Sequence, residues 1–171
     1  MGAGGLPMNK ITVLVLLSLA TFWAIPADAQ EMPAGGMTAN EVASFLQGEG
    51  LAASVVTNTQ GRVAGDNDNM VKSSVPGANF SVVLLDCTAD RCETLQYRAG
   101  WSDCSRTPDQ ANAWNLHRRW IKAVIQETAC FGQFDIIVAH GVSHAYLVQT
   151  LSNWKDTIGN FVQWVGSGTL D

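Results

Sequence analysis

The stretch ANFSVVLLDCTADRCETLQYRAGW, residues 78–101, determines how the rest of this 171-residue chain is organised. In both halves of the stretch, apolar, β-branched and aromatic residues occupy every second position. This alternation is typical of strands that turn one face toward a core. Cys87 and Cys92 flank the short polar turn at 88–91. The stretch therefore predicts a β-hairpin with a cysteine at the turn end of each strand.

The composition indicates one domain with a sizeable core and argues against a nucleic-acid partner. Hydrophobic residues make up 47% of the chain and charged residues only 15%, with a formal net charge of −5. A nucleic-acid-binding protein normally presents a basic patch or stripe, and this chain has no run of like charge. We therefore expect neither a nucleic-acid partner nor a polybasic membrane arm.

The first 29 residues have the parts of a secretory signal peptide. Lys10 supplies a positive charge, residues 11–25 form an apolar run, and the Ala-Asp-Ala sequence at 27–29 matches the small-x-small cleavage pattern. The run has about 15 residues, short of the roughly 20 that a membrane-spanning helix needs, which favours a cleaved signal over an anchor. We expect a mature chain that begins near Gln30, is periplasmic or secreted, and has no membrane attachment after cleavage.

Export gives the four cysteines a role, because exported proteins commonly form disulfides. Four cysteines allow three pairings, which the sequence alone leaves open. We favour Cys87 with Cys92, because facing strand ends bring Cα atoms within the roughly 4.4–6.8 Å that a disulfide needs. Cys104 with Cys130 would then tie the loop after the hairpin to the end of the next helix.

The rest of the chain divides into a linker at 30–36, a folded domain at 37–166 and a tail at 167–171. Thr38 and Glu41 have the spacing of a capping box, which predicts the start of a helix that ends at Gly48. Strands are predicted at 51–57 and within 62–75, with a turn at 59–61 and a polar loop or bulge at 66–69.

A second helix is predicted to begin at Thr107 and Pro108, since proline is tolerated in the first turn. Residues recur at helical spacing up to Gly132: Trp114, His117, Ile121, Val124, Ile125 and Thr128. A strand at 134–139 follows, and then a helix capped by Ser143. The stripe of that last helix is Leu147, Leu151, Trp154, Ile158, Phe161 and Val165. The order α-β-β-β-β-α-β-α predicts an α+β domain, an antiparallel sheet with helices packed on it.

Several of these segments together resemble the YbjN family of proposed bacterial sensory transduction regulators. The resemblance rests on FSVVLLDC…CETLQYRAGW, AWNLHRRW, FDIIVAHGVS and LSNW, and covers about residues 37–165. That family is similar in fold to type III secretion chaperones. The resemblance implies a compact binding or regulatory domain that acts through partners, without catalytic residues or a cofactor. The export signal and the extra cysteine pair set this chain apart from the commoner cytoplasmic members.

Candidate interface residues lie on the second predicted helix and on the last one. Trp120 and Trp164 fall outside the main apolar stripes, and an exposed tryptophan can anchor an interface. Arg118 and Arg119 could pair with an acidic partner. In the alternative interpretation, the tryptophans cover the rim of the core and the arginines form a solvated helix face. The partner is an unknown protein or peptide, and a homodimer also stays open.

Two other classes of function stay open as alternatives to a binding domain. One is an enzyme that uses Cys130 with a histidine, or a zinc site formed by His117, His140 and His144. The chain has no H-E-x-x-H, C-x-x-C or G-x-S-x-G motif, and export favours Cys130 in a disulfide. The other is a small-molecule carrier with an apolar cleft between helices and sheet. We predict no enzyme activity, no metal and no cofactor.

Overall fold

A computed structural model describes residues 1–2, 35–57 and 69–167. This part of the chain contains three helices, α1 (Ala39–Gly48), α2 (Pro108–His117) and α3 (His144–Ser167). It also contains six strands, β1 (Ala53–Thr57), β2 (Asn69–Val75), β3 (Ala78–Thr88), β4 (Arg91–Trp101), β5 (Lys122–Gln126) and β6 (Ala129–Ile137). The predicted signal peptide beyond Gly2, the linker before Gly35, the turn at 59–61, most of the loop at 66–69 and the tail after Ser167 lie outside the described residues.

The predicted α+β class is confirmed by a single antiparallel sheet in the order β1-β2-β3-β4-β6-β5. The predicted hairpin forms its centre, with Leu84 opposite Leu95 and Cys87 opposite Cys92. Alternate side chains of β4 are buried, and so are Phe80, Val82 and Leu84 of β3, as the period of two requires; Val83, on the other face of β3, is buried as well. None of the described helices is both long and apolar enough to cross a membrane.

Helices α1 and α3 pack on one face of the sheet, and the core lies between these two layers. Aromatic rings make up its centre: Trp154 of α3 lies 5.6 Å from both Phe80 and Tyr97, measured between ring centroids. The opposite face, which we call the open face, carries mainly polar side chains, and Ile137 there is 69% exposed. Of the described helices, α1 and α3 therefore cover one face of the sheet, and none packs on the open face.

The predicted second helix is too long, because its second half forms strand β5, a turn and the start of β6. Helix α2 ends at His117, Arg118 is extended (φ −117°, ψ 150°), and β5 pairs with β6. A short apolar run rich in β-branched residues fits helix or strand spacing equally well, so periodicity alone does not separate them. Gly132, predicted to end the helix, lies within β6. A Cβ atom there would lie 3.1 Å from the Phe161 ring, which fills the space that the glycine leaves.

Both cysteine pairs that the sequence favours lie at disulfide distance. The Cα atoms of Cys87 and Cys92 are 3.9 Å apart across the hairpin, closer than the range expected from the sequence, and those of Cys104 and Cys130 are 5.5 Å apart. Cys130 lies on β6 and not at the end of a helix, so the second pair joins the loop after β4 to a neighbouring strand.

The start of the domain is bound to the turn of the hairpin. Met37 and Cys92 exchange two backbone hydrogen bonds, each 2.9 Å long, and the Arg91 guanidinium donates to the carbonyl oxygen of Gly36. Gly36 has a φ of +87°, and a Cβ atom on it would overlap the carbonyl oxygen of Cys92. The close approach therefore requires glycine at this position.

The predicted capping box at the start of α1 is confirmed. The Glu41 N–H donates to the Thr38 hydroxyl, and the Thr38 N–H donates to the Glu41 carboxylate at 2.8 Å. That carboxylate also lies 3.2 Å from the Arg91 guanidinium. Partial burial raises the pKa of Glu41, but the hydrogen bond from Thr38 and the Arg91 charge outweigh it, so the pKa is lowered. Glu41 thus links the cap of α1 to the hairpin turn.

Candidate interaction surface

The loop between α2 and β5 turns sharply and brings Trp120 to the surface. The Arg118 N–H still donates to the Trp114 carbonyl at 2.8 Å, which closes the last turn of α2. Trp120 then adopts a left-handed conformation with a φ of +72°. The Ile121 N–H donates to the Arg119 carbonyl at 2.9 Å, and β5 begins directly afterwards.

Two side chains of α2 hold this loop in place. The buried Trp114 indole N–H donates to the Ile121 carbonyl at 2.7 Å. The Asn115 side chain accepts from the Ala123 N–H at 2.7 Å and donates to the Ala123 carbonyl at 3.1 Å. Asn115 therefore bonds the edge strand β5 in the way a neighbouring strand would. The AWNLHRRW resemblance included both residues, but their role depends on the position of β5 and has no local sequence signal.

The loop forms a surface of aromatic, aliphatic and basic side chains. We call it the Trp120 patch and define it as Leu116, Arg118, Arg119, Trp120 and Lys122. Trp120 is 52% exposed and Leu116 is 78% exposed. The patch borders a depression of about 300 Å³.

Two ring contacts order the patch from beneath. The Trp120 ring meets the Phe134 ring edge-on, with centroids 5.7 Å apart. The Arg118 guanidinium lies 5.8 Å from the centroid of the Trp114 ring. Tryptophan and arginine are the residue types most enriched at the energetic centres of protein interfaces. The patch can therefore offer a partner an apolar contact surrounded by positive charge.

Trp164 does not belong to this surface, and its prediction as an interface residue is wrong. It is 1% exposed and packs against Trp114 and Phe161, with centroids 5.3 and 5.1 Å away. The buried stripe of α3 continues from Phe161 to Trp164, three residues on, whereas Val165 is only partly buried. Trp164 thus completes the core.

Two residues of the alternative Cys/His site, Cys130 and His144, make other contacts. Cys130 is paired with Cys104. The His144 Nε2 lies 3.5 Å from a Glu49 carboxylate oxygen. Over the described ranges, no group of three His, Cys, Asp or Glu side chains can hold a metal ion. The zinc site considered from the sequence is thus not assembled among His117, His140 and His144.

Comparison with known proteins identifies one family. The sequence model of YbjN, described as "Putative bacterial sensory transduction regulator", matches residues 38–167. The match begins at the N-cap of α1 and ends with the last residue of α3. No curated protein and no solved structure shows a significant match to the chain.

Proposed function

Because this chain belongs to the YbjN family, whose description is that of a regulator, we propose that it is a non-enzymatic regulatory domain that binds a protein or peptide. Binding takes place at the Trp120 patch, after export to the periplasm or the medium. The signal-like first 29 residues and the two cysteine pairs at disulfide distance support export.

Trp120 is the single observation that carries the proposal. Its φ of +72° is one that L-residues rarely adopt, at a cost of roughly 1–2 kcal/mol. Its ring is also half exposed, so much of the hydrophobic stabilisation that burial would give is not gained. Neither property helps the domain to fold. Contact with a partner accounts for a tryptophan at this position better than folding does.

The charges of the patch indicate what kind of partner it fits. Arg119 and Lys122 are exposed beside Trp120, although the chain as a whole has a net charge of −5. Opposite charges across an interface raise the rate of association and exclude wrong partners. The partner is therefore a segment with an apolar anchor next to acidic residues.

The test is a photo-crosslinking side chain placed at position 116, inside the patch, in cells that export the protein. We expect one dominant adduct, which is lost when Trp120→Gly is added. Glycine adopts a positive φ without strain, so this variant removes the ring while relieving the backbone. Its folding is checked by thermal unfolding.

The matched control places the same crosslinker at Tyr146, an exposed position on α3. We expect no adduct of the same mass there. An adduct at position 116 that persists in Trp120→Gly, or that also forms at position 146, would contradict the proposed role of the patch.

A further inference from the structure

The register of the sheet aligns one row of side chains across the open face. Directly opposed residues of antiparallel strands project from the same face, so the row can be followed from β1 to β5. Its members are Ser54, Lys72, Ser81, Arg98, Gln133 and Lys122. Three of these six are basic and none is acidic, in a chain whose net charge is −5. The row is therefore a local concentration of positive charge.

Part of this row lines a pocket of about 560 Å³ over strands β1 to β4. The outward side chains that line it are Ser54, Lys72, Ser74, Asn79, Ser81 and Arg98. The small side chains of the serines and the absence of one at Gly100 leave a depression, and Lys72 and Arg98 are the two cations that line it. No carboxylate of the described residues lines the pocket. Its volume lies within the roughly 300–1,000 Å³ that is usual for small-molecule sites.

The Arg98 guanidinium is supported by an aromatic ring. A Cβ atom on Gly100 would lie 2.8 Å from the Phe131 ring, so the ring can cover β4 only because this residue is glycine. The guanidinium lies 4.5 Å from the centroid of that ring. Stacking on an aromatic face is a favourable geometry for arginine and limits the conformations of its side chain. Phe131 therefore acts as a positioning residue for Arg98.

An acidic side chain of the same face has a hydrogen bond of its own. Asp135 lies on β6, in the row that follows the basic one, opposite Gln96. The Gln96 amide donates to the Asp135 carboxylate at 2.7 Å. This bond gives one of the carboxylate oxygens a neutral partner within its own row.

We propose that this pocket binds a small organic anion through its phosphate or carboxylate oxygens. Arg98 presents a planar fork that matches two oxygens of either group, and Lys72 supplies a second positive charge. The hydroxyls of Ser54, Ser74 and Ser81 donate further hydrogen bonds. The two cations project from strands separated only by β3, roughly 10 Å apart at the backbone, so their long side chains can reach one ligand.

The experiment titrates the isotope-labelled domain with inorganic phosphate, phenyl phosphate or succinate, and glycerol serves as the neutral probe. Backbone amide signals of Ser81, Arg98 and Gly100 report on the pocket. We expect a saturable shift of these signals with at least one anion and none with glycerol. Saturation by the phosphates alone assigns a phosphate site, and saturation by succinate alone assigns a carboxylate site.

Variants that each remove one positive charge distinguish specific binding in the pocket from non-specific electrostatic attraction of the anion. Lys72→Gln and Arg98→Gln should each weaken binding at least about tenfold, because hydrogen bonds between charged groups are lost. Lys122→Gln removes the same charge from the same row outside the pocket, and should change binding less than about twofold, as expected for a screened charge. Arg98→Lys keeps the charge without the fork and should lie between Arg98→Gln and the unaltered protein.

Three results would overturn the proposal: no saturable shift with any of the anions, shifts that map away from the pocket, or equal loss in Lys122→Gln and Lys72→Gln. The pocket shares no residue with the Trp120 patch, although Lys122 belongs both to that patch and to the row. Trp120→Gly should bind the anions like the unaltered protein, so each of the two proposals can fail alone.

Discussion

At the scale of single residues, Tyr97 shows how completely the core excludes water. The ring is 1% exposed and lies between Phe80, Phe134 and Trp154. The Thr150 hydroxyl donates its proton to the Leu147 carbonyl at 2.8 Å, so in its hydrogen bond with Tyr97 it accepts from the phenol. Burial disfavours the phenolate and raises the pKa of Tyr97 to about 12.

This raised pKa predicts a loss of stability in alkali. The unfolded chain releases the tyrosine proton near pH 10 and the folded chain only near pH 12, so stability falls as pH rises through that interval. The fall attributable to Tyr97 is about 2–3 kcal/mol in the free energy of unfolding. Urea unfolding at pH 9 to 12 measures it. Tyr97→Phe should lose this part of the fall, and Tyr146→Phe should keep it. An equal fall in Tyr97→Phe would refute the assignment.

At the scale of elements, both edge strands of the sheet receive side-chain amides from helices. Asn115 of α2 bonds Ala123 of β5, and Gln47 of α1 donates to the Ala53 carbonyl of β1 at 3.0 Å. Unpaired edges are open to pairing with other chains, and covering them is a common protection. Helices α1 and α2 therefore cover the edges of the sheet as well as the hydrophobic core.

Asn115→Ala should lower the free energy of unfolding by about 1–2 kcal/mol, because the hydrogen bonds to Ala123 are lost. It should also increase self-association, since the edge of β5 loses its cover. Urea unfolding and light scattering measure the two effects. Asn112→Ala, at an exposed position of the same helix, is the control and should stay within about 0.5 kcal/mol. Equal effects of the two variants would show that the bonds to Ala123 contribute nothing.

Features with a local cause could be predicted from the sequence. The hairpin and the cap of α1 depend on residues close together in the chain, and both are confirmed. The strand β5 could not be predicted, because its pairing with β6 and its bond to Asn115 decide its conformation. Trp120 is half exposed, in agreement with its position off the apolar stripe, but the same reasoning was wrong for Trp164. The pocket of the open face had no sequence signal, since only the sheet register brings Lys72 and Arg98 into one row.

At the scale of the whole molecule, the two cysteine pairs connect different parts of the fold. The first closes a loop of sequence separation 5 at the turn of the β3–β4 hairpin, and the second closes one of separation 26 between the loop after β4 and strand β6. Chain entropy gives them roughly 2 and 3.5 kcal/mol of stabilisation. Together they amount to a large part of the stability of a small domain.

Two measurements on protein from the exported fraction test this contribution and the signal peptide. We expect a mass that starts near Gln30 and lies about 4 Da below the all-thiol value, since each disulfide removes two hydrogens. Reductant should then lower the melting temperature clearly. A mass that retains residues 1–29 would argue against cleavage, and an unchanged melting temperature would show that the bonds do not stabilise the fold.

The separation of a packed face from an open face leaves the two sets of strand positions under different evolutionary constraints. Substitutions toward the helices must preserve volume, because the core is close-packed. Substitutions at exposed positions of the open face change stability little, so charge there can vary while the backbone stays the same. Lineages can therefore diverge in what the open face recognises without changing the architecture beneath it.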